Sequence, residues 1–259
     1  MDKKLFYFSG AGNDFVVIDG REGDVSDFRD VTRIQALCQE YGTDGLMILG
    51  SGDAEVDFTM EFYNPDGSGG MMCGNGGRCI VAFADYLGIR PAEGVFLFRA
   101  PDGLHTGEIL DRSEEDLWTV RIKMIDVQGI TPMLGGFFLN TGTRHFVKFV
   151  DDVEKVDIDT EGKALRWDPA FAPVGTNVNF VHVAPDGLHV RTFEKGVEGE
   201  TLACGTGLTA SAIAAYAASV VPDTDIRLRA RQDWLSVNFT PGEDEKFTDI
   251  YLTGPARLL

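Results

Sequence analysis

Long hydrophobic runs, paired metal-binding motifs and basic residues are what this sequence has least of. No apolar stretch approaches the roughly 18 residues that a membrane span needs, so no membrane partner is expected. The opening MDKKLFYFSGAG carries two lysines with no apolar run behind them, which argues against a secretory signal and for the cytoplasm. Only four cysteines (Cys38, Cys73, Cys79, Cys204) occur in 259 residues, too few for a disulfide scaffold, and there is no C-x-x-C. The four histidines are scattered, so no metal site is expected, and the thiols should be free in a reducing compartment. Lys and Arg number 23 against 41 Asp and Glu, a formal net charge of −18. So acidic a surface repels phosphate backbones and argues against a nucleic-acid partner. No segment is low-complexity, and 44% hydrophobic residues suffice for one large core or two small ones.

What is present is a repeat. CGNG begins at Cys73 and CGTG at Cys204, an offset of 131. The same offset sets Phe6 on Phe137, Phe15 on Phe146, Phe62 on Phe193, Ala84 on Ala215, Leu97 on Leu228 and Asp102 on Asp233. One constant shift of this reach marks two homologous halves joined near Ile125 to Thr131. The expected domains are 1–127, carrying Cys73, and 128–259, carrying Cys204.

Each half follows one plan. Short β-like runs such as Phe15 to Asp19 and Leu46 to Leu49 are bounded by Gly, Asn and Asp. DFTMEFYN before the first cysteine and LHVRTFEK before the second alternate as half-buried strands do. After each cysteine the pattern turns helical, over Gly76 to Leu87, ended by Gly88, and over Gly207 to Val220, stopped by Pro222. Both segments are apolar nearly all round, and a helix with no polar face belongs inside something. The expected fold class is α+β: two pseudo-symmetric domains, each a curled sheet or barrel around a central helix. A further amphipathic helix is expected over Phe28 to Glu40, with Val31, Ile34, Leu37 and Tyr41 on one side and Gly42 ending it.

A cysteine just ahead of a helix lies in the field of the helix dipole, which favours its thiolate. A pKa near 8.5 can then fall to roughly 3.5–7.5. Gly74 and Gly205 follow directly, and bare amides at a helix N-terminus hold carboxylate or phosphate. Each half thus supplies one thiol and one anion cradle; if the halves face one another, both converge on one small anion. Inverting a stereocentre calls for that set. It needs a base on one face of the carbon, an acid on the other, and stabilisation of the charge that builds on the carboxylate. A lone CGxG carries little, since buried helices often start that way; a pair in one register carries more.

Four motifs, GAGNDFVVID (Gly10 to Asp19), FYNPDGSGGMMCGNGGRC (Phe62 to Cys79), FEKGVEGETLACGTG (Phe193 to Gly207) and YLTGPA (Tyr251 to Ala256), resemble those of the diaminopimelate epimerase family. The resemblance runs nearly the full length. It implies a cofactor-independent epimerase that interconverts LL- and meso-2,6-diaminopimelate for lysine and cell-wall synthesis. The implied partner is a small amino-acid substrate, with a homodimer left open. By motif, Cys73 and Cys204 take the two catalytic thiol positions, and Gly74, Asn75, Gly205 and Thr206 hold the reacting carboxylate through backbone amides. Asn13, Asn64 and Asn177 fall where the family contacts substrate. Glu194, counted as both catalytic and substrate-binding, and Lys195 fall on a Glu-Arg pair; His145 falls on a histidine that assists the thiols.

The chain departs from that family in three places. Relatives commonly read Gly-Asn-Pro-His where this chain has Gly142-Thr143-Arg144-His145. Lys195 stands where an arginine grips the distal carboxylate, and lysine keeps the charge but loses the bidentate fork. EKGVEGET is one residue longer than the usual loop.

Plainer roles compete at several positions. Cys38 and Cys79, inside helical segments, read as small core hydrophobes. His145 beside Phe146 and Val147 also fits a satisfied strand histidine, Glu194 a surface charge, and Asn13 a turn former in GAGND. Three rival functions stay open: a proline or hydroxyproline racemase, a thiol-redox protein, and a small-anion binder without turnover. The racemases carry a histidine soon after the first Cys-Gly, where this chain has Asn75.

Overall fold

The computed structural model describes residues 3–70 and 72–259; Met1, Asp2 and Met71, the last within the first cysteine motif, lie outside them. The chain divides into two compact units, one running to Ile122 and including Gly254–Leu259, the other Lys123–Thr253.

In the first unit the order is β1 (Leu5–Gly10), β2 (Asn13–Asp19), α1 (Val31–Tyr41), β3 (Gly45–Ser51), β4 (Phe58–Tyr63), α2 (Gly74–Tyr86), β5 (Val95–Ala100), β6 (Gly103–Glu114) and β7 (Leu117–Lys123). Neighbours in the chain are neighbours in the sheet. The β2–β3 and β4–β5 pairs are parallel and the others antiparallel. Parallel pairing demands a crossover connection, and the two helices supply it. They go to opposite faces. Ile34, Leu37 and Cys38 of α1 pack on Val16, Ile18, Leu46 and Ile48 on one side of the sheet. Helix α2, buried from Gly74 to Ala84, fills the other side. Covered on both faces, β2 and β3 are buried along most of their length, which is why they read as continuous rather than alternating apolar runs.

The second unit holds β8 (Ile130–Met133), β9 (Gly136–Asn140), β10 (Arg144–Phe149), the short α3 (Lys163–Arg166), β11 (Asn177–Ala184), β12 (Gly187–Glu194), β13 (Gly199–Thr201), α4 (Gly205–Ala217), β14 (Asp225–Arg229), β15 (Trp234–Pro241) and β16 (Phe247–Leu258). The repeat offset carries α2 onto α4 residue for residue. It likewise carries the parallel pairs β2–β3 and β4–β5 onto β10–β11 and β12–β14. Helix α4 is buried on nearly every side. Its alanines let the strands approach, and its two interior hydroxyls bond their own helix: Thr209 donates to Gly205 O at 3.0 Å and Ser211 to Gly207 O at 2.7 Å.

The closing strand of each sheet comes from an extension of the chain. In the first unit the end of β16 pairs with β7 (Val120↔Gly254, Leu117↔Arg257) and with β1 (Phe8↔Leu258), so that eight strands form a closed ring among the described residues. In the second unit, Met124 donates to Ile250 O, Val127 bridges Phe247, and β8 pairs with β9. The boundary expected after residue 127 therefore falls at Ile122, because the segment beyond it is hydrogen-bonded inside the second unit. The α+β reading, a barrel around a central helix in each of two related domains, describes both units.

Helix limits differ from the sequence reading in instructive ways. Helix α1 begins at Val31 because Asp30 accepts from the Arg33 N–H at 3.0 Å, and a 3-10 turn covers Ser26–Arg29 instead. Val31 and Tyr41 are about half exposed, and Cys38 takes their expected place in the stripe. Gly42, left-handed at φ 65°, ends the helix as expected. Helices α2 and α4 begin directly after the cysteines, which are themselves the N-caps. Helix α4 stops three residues before the expected Val220, where Ser219 turns left-handed, and so does not reach Pro222.

Candidate functional site

In the first unit the site grows from the start of α2. Cys73, in extended conformation and exposed, caps the helix: the Gly76 N–H donates to its sulfur at 3.3 Å. The first amides of any helix lack partners four residues back, so the sulfur sits where N–H dipoles point outward. Asn75, almost fully buried, donates through Nδ2 to Asn13 Oδ1 and accepts from Arg78 at 3.0 Å. Arg78 is fully buried in the first turns of α2, with further bonds to Gly74 O (3.2 Å) and Pro255 O (3.1 Å). Its cation therefore adds to the dipole at the end where Cys73 lies, and both favour an anion there. An arginine inside an otherwise apolar helical run is the signal that the sequence reading passed over.

Cys73, Gly74, Asn75 and Asn13 thus come together. Asn64 lies in the turn after β4, where its amide nitrogen donates to Ser68 Oγ at 3.0 Å and its backbone closes the turn. Cys79, fully buried, has its thiol pushed up by that burial, and Cys38 is raised for the same reason. Both are core groups, as their helical positions suggest.

In the second unit Cys204 caps α4 in the same extended conformation but is buried, and its sulfur lies 3.5 Å from Thr206 Oγ1. Thr206 Oγ1 is 2.9 Å from His145 Nε2, and His145 Nδ1 is 3.0 Å from the Asn179 amide nitrogen. Burial drives the imidazole down to about 3, so it is neutral at ordinary pH. Thr141 Oγ1 donates to Thr206 O at 2.9 Å and ties β9 to the helix start. Gly207 follows from geometry: a Cβ there would sit 2.3 Å from Asn179 Oδ1.

Asn177 is turned to structural use. Its Nδ2 donates to Arg144 O at 2.9 Å and its Oδ1 accepts the Lys195 N–H at 2.8 Å. It fixes the backbone at Arg144 and Lys195. Glu194 ends β12 in a largely buried setting, and burial raises its carboxyl above the usual range, with the Thr201 hydroxyl pulling the other way. In the loop after β12, Glu198 is left-handed at φ 58°. Its carboxylate accepts from Gly196 N–H at 3.1 Å and from the buried Arg166 at 3.2 Å, which pins the longer loop. His105, His182 and His189 take no part in either cluster; His189 pairs with Asp186 at 2.9 Å.

The family model described as Diaminopimelate epimerase matches residues 6–124 and 137–259. A relative in Flavobacterium psychrophilum named diaminopimelate epimerase is 40% identical over 99% of this chain and 98% of its own. One of the same name in Chlorobaculum tepidum is 39% identical over 96% of each. Among solved structures, a Bacillus anthracis phenazine biosynthesis protein of the PhzF family superposes with a TM-score of 0.76, at 14% identity, covering 100% of this chain and 98% of that one. A hydroxyproline epimerase from Agrobacterium vitis gives 0.64 at 14% identity, covering 99% and 92%. These two likenesses concern fold alone, whereas the matching profile and the near-full-length relatives carry more: the chain belongs to the diaminopimelate epimerase family.

Proposed function

We propose that the chain interconverts LL- and meso-2,6-diaminopimelate without a cofactor, with Cys73 and Cys204 as paired acid and base. The observation that carries this reading is the repetition of one device. In each unit a cysteine caps a buried helix of 13 residues, and a glycine follows it at the helix start. The family's name supplies the substrate; the repetition supports the chemistry.

In this reading the reacting carboxylate accepts N–H groups from the two helix starts, which stabilise the charge as the α-proton leaves. One thiolate takes that proton and becomes a thiol. The opposite thiol gives its proton to the other face of the carbanion and becomes a thiolate, so protons and charge balance over one turnover. Which cysteine acts as base depends on the isomer bound. The mechanism requires both thiols to reach one carbon from opposite sides. Glu194, with its raised carboxyl, is assigned to catalysis and substrate binding, and Lys195 to the distal carboxylate. The reducing cytoplasm would keep both thiols free.

Proton NMR of LL-diaminopimelate with the reduced protein in D2O tests the reading. Loss of the α-proton signal with appearance of the meso isomer is expected, and Cys73→Ser or Cys204→Ser should each abolish turnover. A signal that persists while both thiols stay reduced removes diaminopimelate as the substrate.

A further inference from the structure

We propose that Asn179 is a positioning residue that sets the tautomer of His145 and, through it, aims the hydroxyl hydrogen of Thr206 at the Cys204 sulfur. The purpose of this arrangement rests on the two-thiol reading above; its geometry does not.

Hydrogen-bond direction can be followed outward from one fixed acceptor. The Phe146 carbonyl can only accept, so the Asn179 atom lying 3.2 Å from it is the amide nitrogen. The amide oxygen on the other side accepts from Thr192 Oγ1 at 2.9 Å, in agreement. The second amide hydrogen then points at His145 Nδ1, 3.0 Å away, and that nitrogen must present its lone pair. A neutral imidazole with a bare Nδ1 carries its proton on Nε2. Nε2–H therefore donates to Thr206 Oγ1 at 2.9 Å. The threonine oxygen is thereby an acceptor, and its own hydrogen turns elsewhere; Cys204 Sγ stands 3.5 Å away. The ring is wholly enclosed by protein, so water cannot reverse the sense of the chain. Lys195, in the loop after β12, adds a cation near the ring that further disfavours its protonation.

The consequence falls on one thiol. A hydroxyl hydrogen aimed at sulfur stabilises thiolate more than thiol, because hydrogen bonds to an ionised acceptor are the stronger. The three relay residues are not repeated in the first unit: the offset places Asn75 at the position of Thr206, Asp14 at that of His145 and Ile48 at that of Asn179. Cys73 instead receives the Gly76 N–H. Two thiols with matching roles are thus supported by different groups, and Cys73 becomes an internal control for Cys204.

The test uses the full-length reduced protein without substrate. Alkylation by iodoacetamide is followed against pH, and peptide mass spectrometry separates Cys73 from Cys204. In Thr206→Val, which keeps shape and loses the hydroxyl, the half-maximal pH for Cys204 should rise by about one unit while that of Cys73 stays put. Thr206→Ser should restore the wild-type value, and Asn179→Leu should shift Cys204 in the same direction as Thr206→Val. Equal shifts at both cysteines, or none at Cys204, overturn the proposal. Because Asn179→Leu empties a buried network and can unfold the unit, the wild-type protein gives a second readout. 15N NMR of His145 should find Nε2 protonated and Nδ1 bare; a proton on Nδ1 refutes the chain directly. Failure of the substrate experiment with success here would leave this relay standing and the substrate open.

Discussion

The same substitution made at two positions related by the repeat offers a sharp comparison. Gly76 and Gly207 occupy matching places in the first turns of α2 and α4. Replacing glycine by alanine inside a helix gains up to about 1 kcal/mol from propensity, and less near a helix end. A Cβ at position 76 would meet Cys73 Sγ at 3.3 Å and Met47 Sδ at 3.4 Å, both on side chains able to give way. A Cβ at position 207 would meet Asn179 Oδ1 at 2.3 Å, and Asn179 is held by Thr192, Phe146 and His145. Overpacking of that kind costs roughly 1–3 kcal/mol, and a displaced Asn179 loses hydrogen bonds worth about 1 kcal/mol each. Gly76→Ala should therefore fall within about 1 kcal/mol of wild type, whereas Gly207→Ala should destabilise by about 1–3 kcal/mol. Urea unfolding gives the totals, and amide exchange in α2 and α4 assigns them to a unit, since two units need not unfold together. Equal losses at the two sites, or a Gly207→Ala protein more stable than wild type, would refute the packing argument.

Three further outcomes are expected. His145 titrates near 6.5 when unfolded and at about 3 when folded, so between those values the unfolded chain binds a proton that the native one does not. Its contribution is present above 6.5 and is lost as pH falls, at up to about 1.4 kcal/mol per unit; His145→Gln should flatten that limb in denaturation midpoints compared at neutral and mildly acid pH, and an unchanged slope would count against it. Trp118 is fully buried, packs tilted against Phe8 with ring centroids 5.8 Å apart and donates to Asp85 Oδ2 at 2.9 Å, so Trp118→Ala should cost about 3–5 kcal/mol in chemical denaturation. Trp118→Phe should cost less, because Asp85 keeps Arg90 and Arg112. Deleting Gly254–Leu259 removes the partner of both β1 and β7 and leaves two bare edges; light scattering should show association, and a monomer with protected β1 amides would contradict the ring closure.

Much of the architecture was legible because the repeat is a one-dimensional signal. A constant offset survives in sequence whatever the strands do, and all-apolar runs after Cys73 and Cys204 leave a helix no place but the interior. The closing strand was not legible. The tail YLTGPARLL has the composition of any strand, and nothing in composition says which sheet edge will take it. Among candidate site residues, Gly74 and Gly205 follow from their place after the cysteines, whereas Asn75 and Thr206 come from the family resemblance. Asn179 comes from neither: it reaches the site through His145, 34 positions away in sequence, by hydrogen-bond direction rather than by motif. Asn177, two residues earlier on β11, matches a family position, yet its amide is spent on the Arg144 and Lys195 backbones. Residues two apart on a strand share a face, so alternation does not separate Asn177 from Asn179; only their hydrogen-bond partners do, and sequence does not name those.

The final six residues, Gly254–Leu259, complete the barrel that the first residues begin. A ribosome making this chain from its N-terminus therefore releases the first half in an unfinished state, with β1 and β7 both waiting for a strand that has not been synthesised. The second unit has no such delay, since everything it needs ends at Thr253. The half made first is the half finished last, and during translation its two open edges are the part of the nascent chain most in need of shelter.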